Sequence, residues 1–153
     1  MDEECFSTQE WHKKQAVDNF NGTWDLIDKK DRTEEENLKM IHMAHASRFH
    51  WGVVGTPLEL ARGEWQVSRV YSLAGMPESA LYHAGQSLSL CEANNFGDFD
   101  LAFAYEAVAR AYMVMKDKNN MDAFLLKALG AGNQIKNKED KEYFLSELKT
   151  IIL

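Results

Sequence analysis

The residues of this sequence best suited to hold a metal ion or move a proton are histidines and glutamates between residues 42 and 106. His42 and His45 are three residues apart, so on a helix one metal ion can reach both imidazoles. His83 offers a third nitrogen ligand, and Glu64 a carboxylate. This set predicts a polar pocket for a small molecule or a metal, although the sequence lacks the usual zinc signatures and the Glu-x-x-His pair of dimetal bundles.

The same histidines also have a structural interpretation. A helix over 33–53 places two of them on one stripe with apolar residues at helical spacing, which is typical of a packed face. We therefore expect His42 and His45 to face the interior as hydrogen-bonded core histidines, and we predict neither a bound metal nor a cofactor. The stripe consists of Leu38, His42, His45, Phe49 and Val53.

The cations of the sequence are unevenly distributed. All twelve lysines lie outside residues 40–115, whereas that stretch contains four arginines, Arg48, Arg62, Arg69 and Arg110. Lysine is the usual solvated surface cation, while the planar guanidinium of arginine suits partly buried pairs with carboxylates. The middle of the chain is therefore expected to be enclosed, with its cations fixed in place.

Three of these central residues form a second candidate site. At about 100° per residue, Arg62, Trp65 and Arg69 share one stripe of a helix, opposite its apolar stripe. A face of this kind can grip a carboxylate or a peptide C-terminus bidentately.

Internal ion pairing is the alternative interpretation of these arginines. Glu106 lies one helical turn before Arg110, and either Glu64 or Glu106 can neutralise Arg69. An unpaired buried guanidinium costs several kcal/mol, so some partner must exist. Spacing alone leaves open whether that partner is an internal glutamate or an external ligand.

The remaining reactive residue types favour a non-catalytic protein. Cys5 and Cys91 lie in different surroundings and indicate no disulfide framework, and Cys91 falls on the apolar pattern of its helix. No activated nucleophile or nucleotide-binding loop is evident in the sequence. We expect Trp11, Trp24 and Trp51 to pack in the core.

Composition narrows the class of protein. The chain has 153 residues, 45% of them hydrophobic, and a formal charge of −7. It is expected to fold as a single domain over residues 1–153, with 1–6 disordered. A nucleic-acid partner is not expected, because no segment supplies a basic face. No stretch is long and apolar enough to span a membrane, and the acidic N-terminus does not resemble a signal peptide, so we predict a cytoplasmic protein.

Helix start signals recur along the chain, and no run alternates with the period of a strand. Ser7 with Glu10 and Thr33 with Glu36 have the spacing of capping boxes. The pattern predicts an all-α fold of about seven antiparallel helices, joined by short loops into stacked hairpins. The predicted helices cover about 8–28, 33–53, 57–74, 77–94, 98–116, 120–134 and 138–152.

Two segments of the second half are similar to each other. One is SRVYSLAGMPESALYHAGQSL, around Tyr71, and the other is ARAYMVMKDKNNMDAFLLKAL, around Tyr112. Both resemble the tetratricopeptide repeat in their order of small residue, aromatic residue, turn and further small residues. The run HASRFHWGVVGTPLELARGEWQVSRVY followed by DFDLAFAYEAVARAY also resembles a group of bacterial hypothetical proteins.

The tetratricopeptide resemblance implies a right-handed superhelix whose first helices line a concave groove. It implies a protein or peptide partner in that groove, such as an acidic peptide, a partner helix or a second copy in a homodimer. Carried over residue by residue, the implied groove positions are Arg62, Trp65 and Arg69 in the first copy and Phe103, Glu106 and Arg110 in the second.

Overall fold

The computed structural model describes residues 3–153, which form seven α-helices and no β-strand. The predicted all-α fold is thereby confirmed. None of these helices combines the length and the hydropathy needed to cross a membrane. Residues 3–6 precede the first helix without regular secondary structure, and Met1 and Asp2, also expected to be disordered, lie outside the described residues. The helices are α1 (Thr8–Ile27), α2 (Glu34–Val54), α3 (Pro57–Leu73), α4 (Pro77–Ala93), α5 (Asp98–Met115), α6 (Lys118–Gly132) and α7 (Lys138–Leu148).

Local capping chemistry fixes most of the helix starts. Ser7 Oγ accepts a hydrogen bond from the backbone N–H of Glu10 at 3.1 Å, and the Glu10 carboxylate accepts one from the Ser7 N–H at 2.7 Å. Helices α2 and α3 begin after Thr33 and Thr56 in a similar way. These side chains satisfy N–H groups that have no partner within the helix, so the starts are set by the sequence nearby.

Three helix ends differ from the prediction by more than one residue, and one of them is the end of α6, at Gly132 instead of about 134. Helix α6 starts at Lys118, two residues early, because Asp117 is its N-cap and accepts from the N–H of Asn120 at 3.2 Å. Helix α7 ends at Leu148, four residues early. The chain after it makes tighter turns, and Ile151 is buried against α5 and α6.

Consecutive helices pack antiparallel, and buried serines mark where they approach closely. Ser47 on α2 donates to the Ala16 carbonyl of α1 at 2.7 Å. Ser68 on α3 donates to the Ala80 carbonyl of α4 at 2.8 Å. A small hydroxyl side chain lets two backbones approach while its own hydrogen bond is satisfied, so these buried polar groups cost little.

Helices α3, α5 and α7 run parallel along one side of the fold. Arg62 pairs with Asp100, and Arg69 pairs with Glu106. A later residue of α3 thus contacts a later residue of α5, so these two helices point in the same direction. Helix α1 joins this wall, since Gln66 Nε2 donates to the Phe20 carbonyl at 3.0 Å. The right-handed superhelical path implied by the tetratricopeptide resemblance stays a prediction.

The core is a series of small clusters between neighbouring helices. Met40, Ala44, Val67 and Val70 form one between α2 and α3. Helix α5 contributes to most of the others, and one of these also includes Phe144 of α7, which is fully buried. Because α5 is covered by α3, α4, α6 and α7, its side chains are the most enclosed of the molecule.

Candidate functional site

Arg62, at the exposed end of the predicted arginine stripe, pairs with Asp100 of α5. Its Nε donates to Oδ1 at 2.9 Å and its Nη2 to Oδ2 at 3.2 Å, a bidentate pair on a half-exposed side chain. Asp100 was not among the predicted site residues. Its pairing with Arg62 had a signal in the sequence. Trp65 and Phe103 are 38 residues apart, and the same separation from Arg62 leads to Asp100.

Arg69 and Arg110 lie deeper, in a four-residue network with Glu106 and Glu147. Glu106 Oε1 accepts from Arg110 Nε at 2.6 Å and from Arg69 Nη1 at 3.3 Å. Glu147 Oε2 accepts from Arg69 Nη2 at 2.5 Å. Arg110 Nη2 also donates to Thr150 Oγ1 at 2.7 Å. Two cations and two anions thus neutralise each other where α3, α5 and α7 meet.

Spacing alone left open whether the partner of these arginines is an internal glutamate or an external ligand. In the structure, the partners are internal glutamates. Glu106 neutralises Arg69, as one of the two suggested acids, whereas Glu64 lies on another side of α3 and does not. Since the arginines already have carboxylate partners, a ligand carboxylate would have to displace one of them. The arginine groove for acidic ligands therefore has little geometric support.

A cleft of about 450 Å³ opens beside these pairs, between α1, α3, α4, α5 and α7. It contains Arg62, Trp65 and Phe103 from the predicted set, but not Arg69, Glu106 or Arg110. Half of its lining side chains are aromatic. The lining residues are Phe20, Trp24, Ala61, Arg62, Trp65, Ser87, Cys91, Phe99, Asp100, Phe103, Asp140 and Tyr143.

The aromatic rings of the cleft are in contact with one another. The centroids of Trp24 and Trp65 are 5.6 Å apart, and those of Trp65 and Phe103 are 5.5 Å apart at 80°. Phe103 also contacts Phe99 at 4.6 Å and Tyr143 at 5.9 Å. Because each ring packs against the next, the cleft presents a largely preformed apolar surface.

Two tryptophans depart from the core packing expected of them. Trp24 lines the cleft, and Trp11 is about half exposed at the α1–α2 contact. Trp65 lies in the cleft as expected, but its Nε1–H is buried without an acceptor among residues 3–153. A buried donor without a partner costs roughly 1–3 kcal/mol.

The pKa of Tyr143, at the mouth of the cleft, reflects its burial and the carboxylates near it. Burial raises the pKa of the Tyr143 phenol, and the Glu147 carboxylate raises it further, by more than the opposing effect of Arg69. Glu106 and Asp28 act in the same direction as Glu147. Carboxylates therefore dominate the potential at this ring.

Cys91 forms part of the cleft wall and is buried, as expected of a small core residue. Burial raises the pKa of its thiol to about 11, with smaller contributions from Asp100 and Glu92. The thiol is therefore protonated at neutral pH and unsuited to nucleophilic attack.

The alternative pocket is observed only in part, as a polar chain between α2, α3 and α4. His45 Nε2 lies 2.9 Å from the Tyr71 hydroxyl, and His83 Nδ1 lies 2.6 Å from Glu64 Oε2. Arg48 Nε donates to the other Glu64 oxygen at 2.9 Å. Burial acts to raise the pKa of Glu64, but His83 and Arg48 outweigh it and lower that pKa.

His42 does not belong to this chain of contacts, and the expectation that it faces the interior is wrong. Leu38, His42, Phe49 and Val53 are all exposed along α2, and only His45 of that stripe is partly buried. Helix α2 packs on α1 and α3 through a different face, which carries Met40, Ala44 and Ser47. These residues do share one stripe of α2, but that stripe lies on the exposed side of the helix.

The metal alternative finds no coordination sphere in the part of the chain that the structure describes. Within residues 3–153, no three histidine, cysteine, aspartate or glutamate side chains converge as potential ligands.

A histidine pair that the sequence analysis missed joins α1 to α2, with His12 Nδ1 2.8 Å from His50 Nδ1 beside Trp11. One ring donates to the other, so the pair is explained by its own hydrogen bond.

Comparison with models of protein families, with curated proteins and with solved structures finds no match to this chain.

Proposed function

We propose that this protein is a non-catalytic module that binds a peptide segment of a partner protein in the aromatic cleft. The observation that carries the proposal is the ring of six aromatic side chains around a cleft of about 450 Å³. Cavities of roughly 300–1,000 Å³ with apolar walls and a few polar groups are typical of ligand sites. Aromatic anchors are also the residues that dominate binding energy at interfaces.

The rim of the cleft favours a peptide over a fully enclosed small molecule. Tyr143, Asp140 and Arg62 line the cleft and are also exposed, so its mouth opens to solvent along α3, α5 and α7. An extended chain can pass such a mouth while one or two side chains enter. The resemblance to tetratricopeptide repeats, whose first helices bind peptides, points to the same wall.

The absence of an activated group in the cleft fits a binding role. The Cys91 thiol has a raised pKa, and none of the histidines within the described residues lines the cleft. We place the protein in the cytoplasm as part of the proposal, since Cys5 and Cys91 are both free thiols.

Selection from a random peptide display library tests the proposal. Binding is followed by tryptophan fluorescence in a variant carrying Trp11→Phe and Trp51→Phe, where Trp24 and Trp65 in the cleft are the remaining reporters. Tyr143→Ala is expected to weaken selected peptides about tenfold, as for a typical interface anchor. Tyr143 is about half exposed, so this variant is expected to fold.

Phe49→Ala is the matched control, because Phe49 is an exposed aromatic residue of α2 outside the cleft. It is expected to leave peptide affinity unchanged. If folded Tyr143→Ala and Trp24→Phe proteins bind every selected peptide as tightly as the parent, the cleft is not the binding site.

A further inference from the structure

The charged groups that line the cleft are one arginine and two aspartates. Arg62 is already bound by both oxygens of Asp100, so that pair is neutral. The carboxylate of Asp140 has no hydrogen bond or ion pair among residues 3–153. Its neighbour Lys141 turns away, with Nζ 3.4 Å from the Asn133 carbonyl. The lining therefore has a single uncompensated charge, which is negative.

The charged residues around the cleft make its net charge more negative. Behind the wall, Arg69 and Arg110 are balanced by Glu106 and Glu147. Asp28, at the end of α1, is close enough to Tyr143 to affect its titration, and its carboxylate has no partner within the part of the chain that the structure describes. Among residues 3–153, no free guanidinium or ammonium group lines the cleft to offset these two acids.

Aromatic faces carry a partial negative charge and attract cations, most strongly in tryptophan. Trp24 and Trp65 lie beside each other in the cleft, with Phe99, Phe103 and Tyr143 around them. An aliphatic stem that ends in a positive charge can use both features, since its methylene groups contact the rings while the charge stays near a carboxylate.

We infer that the side chain recognised by the cleft is basic, a lysine or arginine of the partner peptide. This inference rests on the proposed function and names the anchor residue of the bound peptide. An acidic side chain would meet Asp140 and would have to displace Asp100 from Arg62. A neutral apolar side chain would fill the cleft but leave Asp140 without a partner.

A set of capped pentapeptides, acetyl-Ala-Ala-X-Ala-Ala-amide, tests the charge of the anchor. X is lysine, arginine, norleucine or glutamate, and each peptide is titrated into the millimolar range. Binding is followed by the indole N–H resonance of Trp65, assigned with a Trp65→Phe variant. The basic peptides are expected to bind at least about threefold more tightly than the norleucine peptide, a typical contribution of a cation over aromatic rings. The glutamate peptide is expected to bind most weakly.

Asp140→Asn separates the charge from the shape of the cleft. This variant is expected to weaken the lysine and arginine peptides about threefold and to leave the norleucine peptide unchanged. Glu139→Gln is the matched control, because Glu139 is the adjacent acid in the first turn of α7 and does not line the cleft. It is expected to change neither affinity.

The outcomes distinguish this inference from the proposed function. Norleucine or glutamate peptides that bind as tightly as the basic ones, or display selection that yields neutral or acidic anchors in the cleft, overturn the inference and leave the binding module intact. If neither these peptides nor any selected peptide perturbs Trp65, the proposed function itself fails.

Discussion

Glu106 is the residue on which two arginines converge. It is almost completely buried, and its Oε1 oxygen accepts hydrogen bonds from both Arg69 and Arg110. Burying such a group is costly unless every charge is paired, and here Glu147 completes the balance. The network thus fixes how α3, α5 and α7 meet without leaving a net charge in the interior.

Replacing Glu106 with glutamine is expected to lower the free energy of unfolding by about 3 kcal/mol, because two buried guanidinium groups are left with one carboxylate. Urea denaturation followed by circular dichroism measures the change. Asp122→Asn is the control, since Asp122 pairs with Lys118 on the surface and its loss is expected to cost less than about 0.5 kcal/mol. Equal effects of the two variants would contradict a central role for Glu106.

His45 and His50 are expected to make the stability of the fold depend on pH. Burial lowers the pKa of His45, and the nearby His83 lowers it further, while Glu64 opposes them. Burial and His12 likewise lower the pKa of His50. The unfolded chain therefore binds protons at a higher pH than the folded chain, so the stability contributed by the neutral histidines is lost as pH falls through about 6.5.

We expect the free energy of unfolding to decrease from about pH 7.5 to about pH 5.5, above the range in which Glu64 titrates. His45→Gln, whose amide can still hydrogen-bond to Tyr71, is expected to make this decrease smaller. Urea titrations at several pH values provide the measurement. A slope that is identical in wild type and in His45→Gln would rule out His45 as a source of the dependence.

At the scale of elements, the turns after α3 and after α5 use the same backbone conformation with different residues. Gly75 has φ of +74°, and Lys116 has φ of +63° in the left-handed region. Glycine adopts this region freely, whereas for a residue with a Cβ this backbone conformation costs about 1 kcal/mol. The second turn is therefore strained in a way that the first is not.

Lys116→Gly is expected to stabilise the protein by about 0.5–1 kcal/mol, since glycine is the preferred residue at this helix end. Gly75→Ala is expected to destabilise it by about 1 kcal/mol through the backbone alone, because an added Cβ has no atom within 4 Å. Thermal unfolding of both variants gives the comparison. Changes of the same sign in both would show that the backbone conformation does not control these turns.

For the whole molecule, α7 both completes the core and closes one side of the cleft. Phe144 is fully buried among Phe103, Ala128 and Ile135. On the same helix, Tyr143 and Asp140 line the cleft, and Glu147 neutralises Arg69. The proposed binding and the stability of the fold therefore both involve α7.

Truncation after Asn137 is expected to remove more stability than a small domain can spare, since losing a buried phenylalanine alone costs about 3–5 kcal/mol. Circular dichroism melts and limited proteolysis would show a chain without a cooperative transition. Deleting only Ile152 and Leu153, which are both exposed, is the control and should leave the melting temperature nearly unchanged. A cooperative, protease-resistant truncation at 137 would show that α7 is dispensable for the fold.

Sequence reasoning located the helices well because caps and periodicity act within a few residues. It also identified Arg62, Trp65 and Phe103, which do meet at the cleft. It missed Phe99 and Asp100, which precede Phe103 on α5, and Tyr143, which reaches the cleft from α7. It also assigned the α2 stripe to the interior, since an amphipathic pattern does not say which side of a helix its neighbours will cover.

The sequence by itself determined seven helices and their order, because propensity and capping are properties of short segments. Its charge distribution also indicated the enclosure of Arg48, Arg69 and Arg110, whereas Arg62 is half exposed. Only the tertiary structure decided which acid neutralises each arginine and which rings surround one space. Those partners are distant along the chain, as Arg69 and Glu147 are, 78 residues apart. Their contact depends on the angles at which α3, α5 and α7 pack, and these angles result from the sum of many small contacts rather than from any local signal.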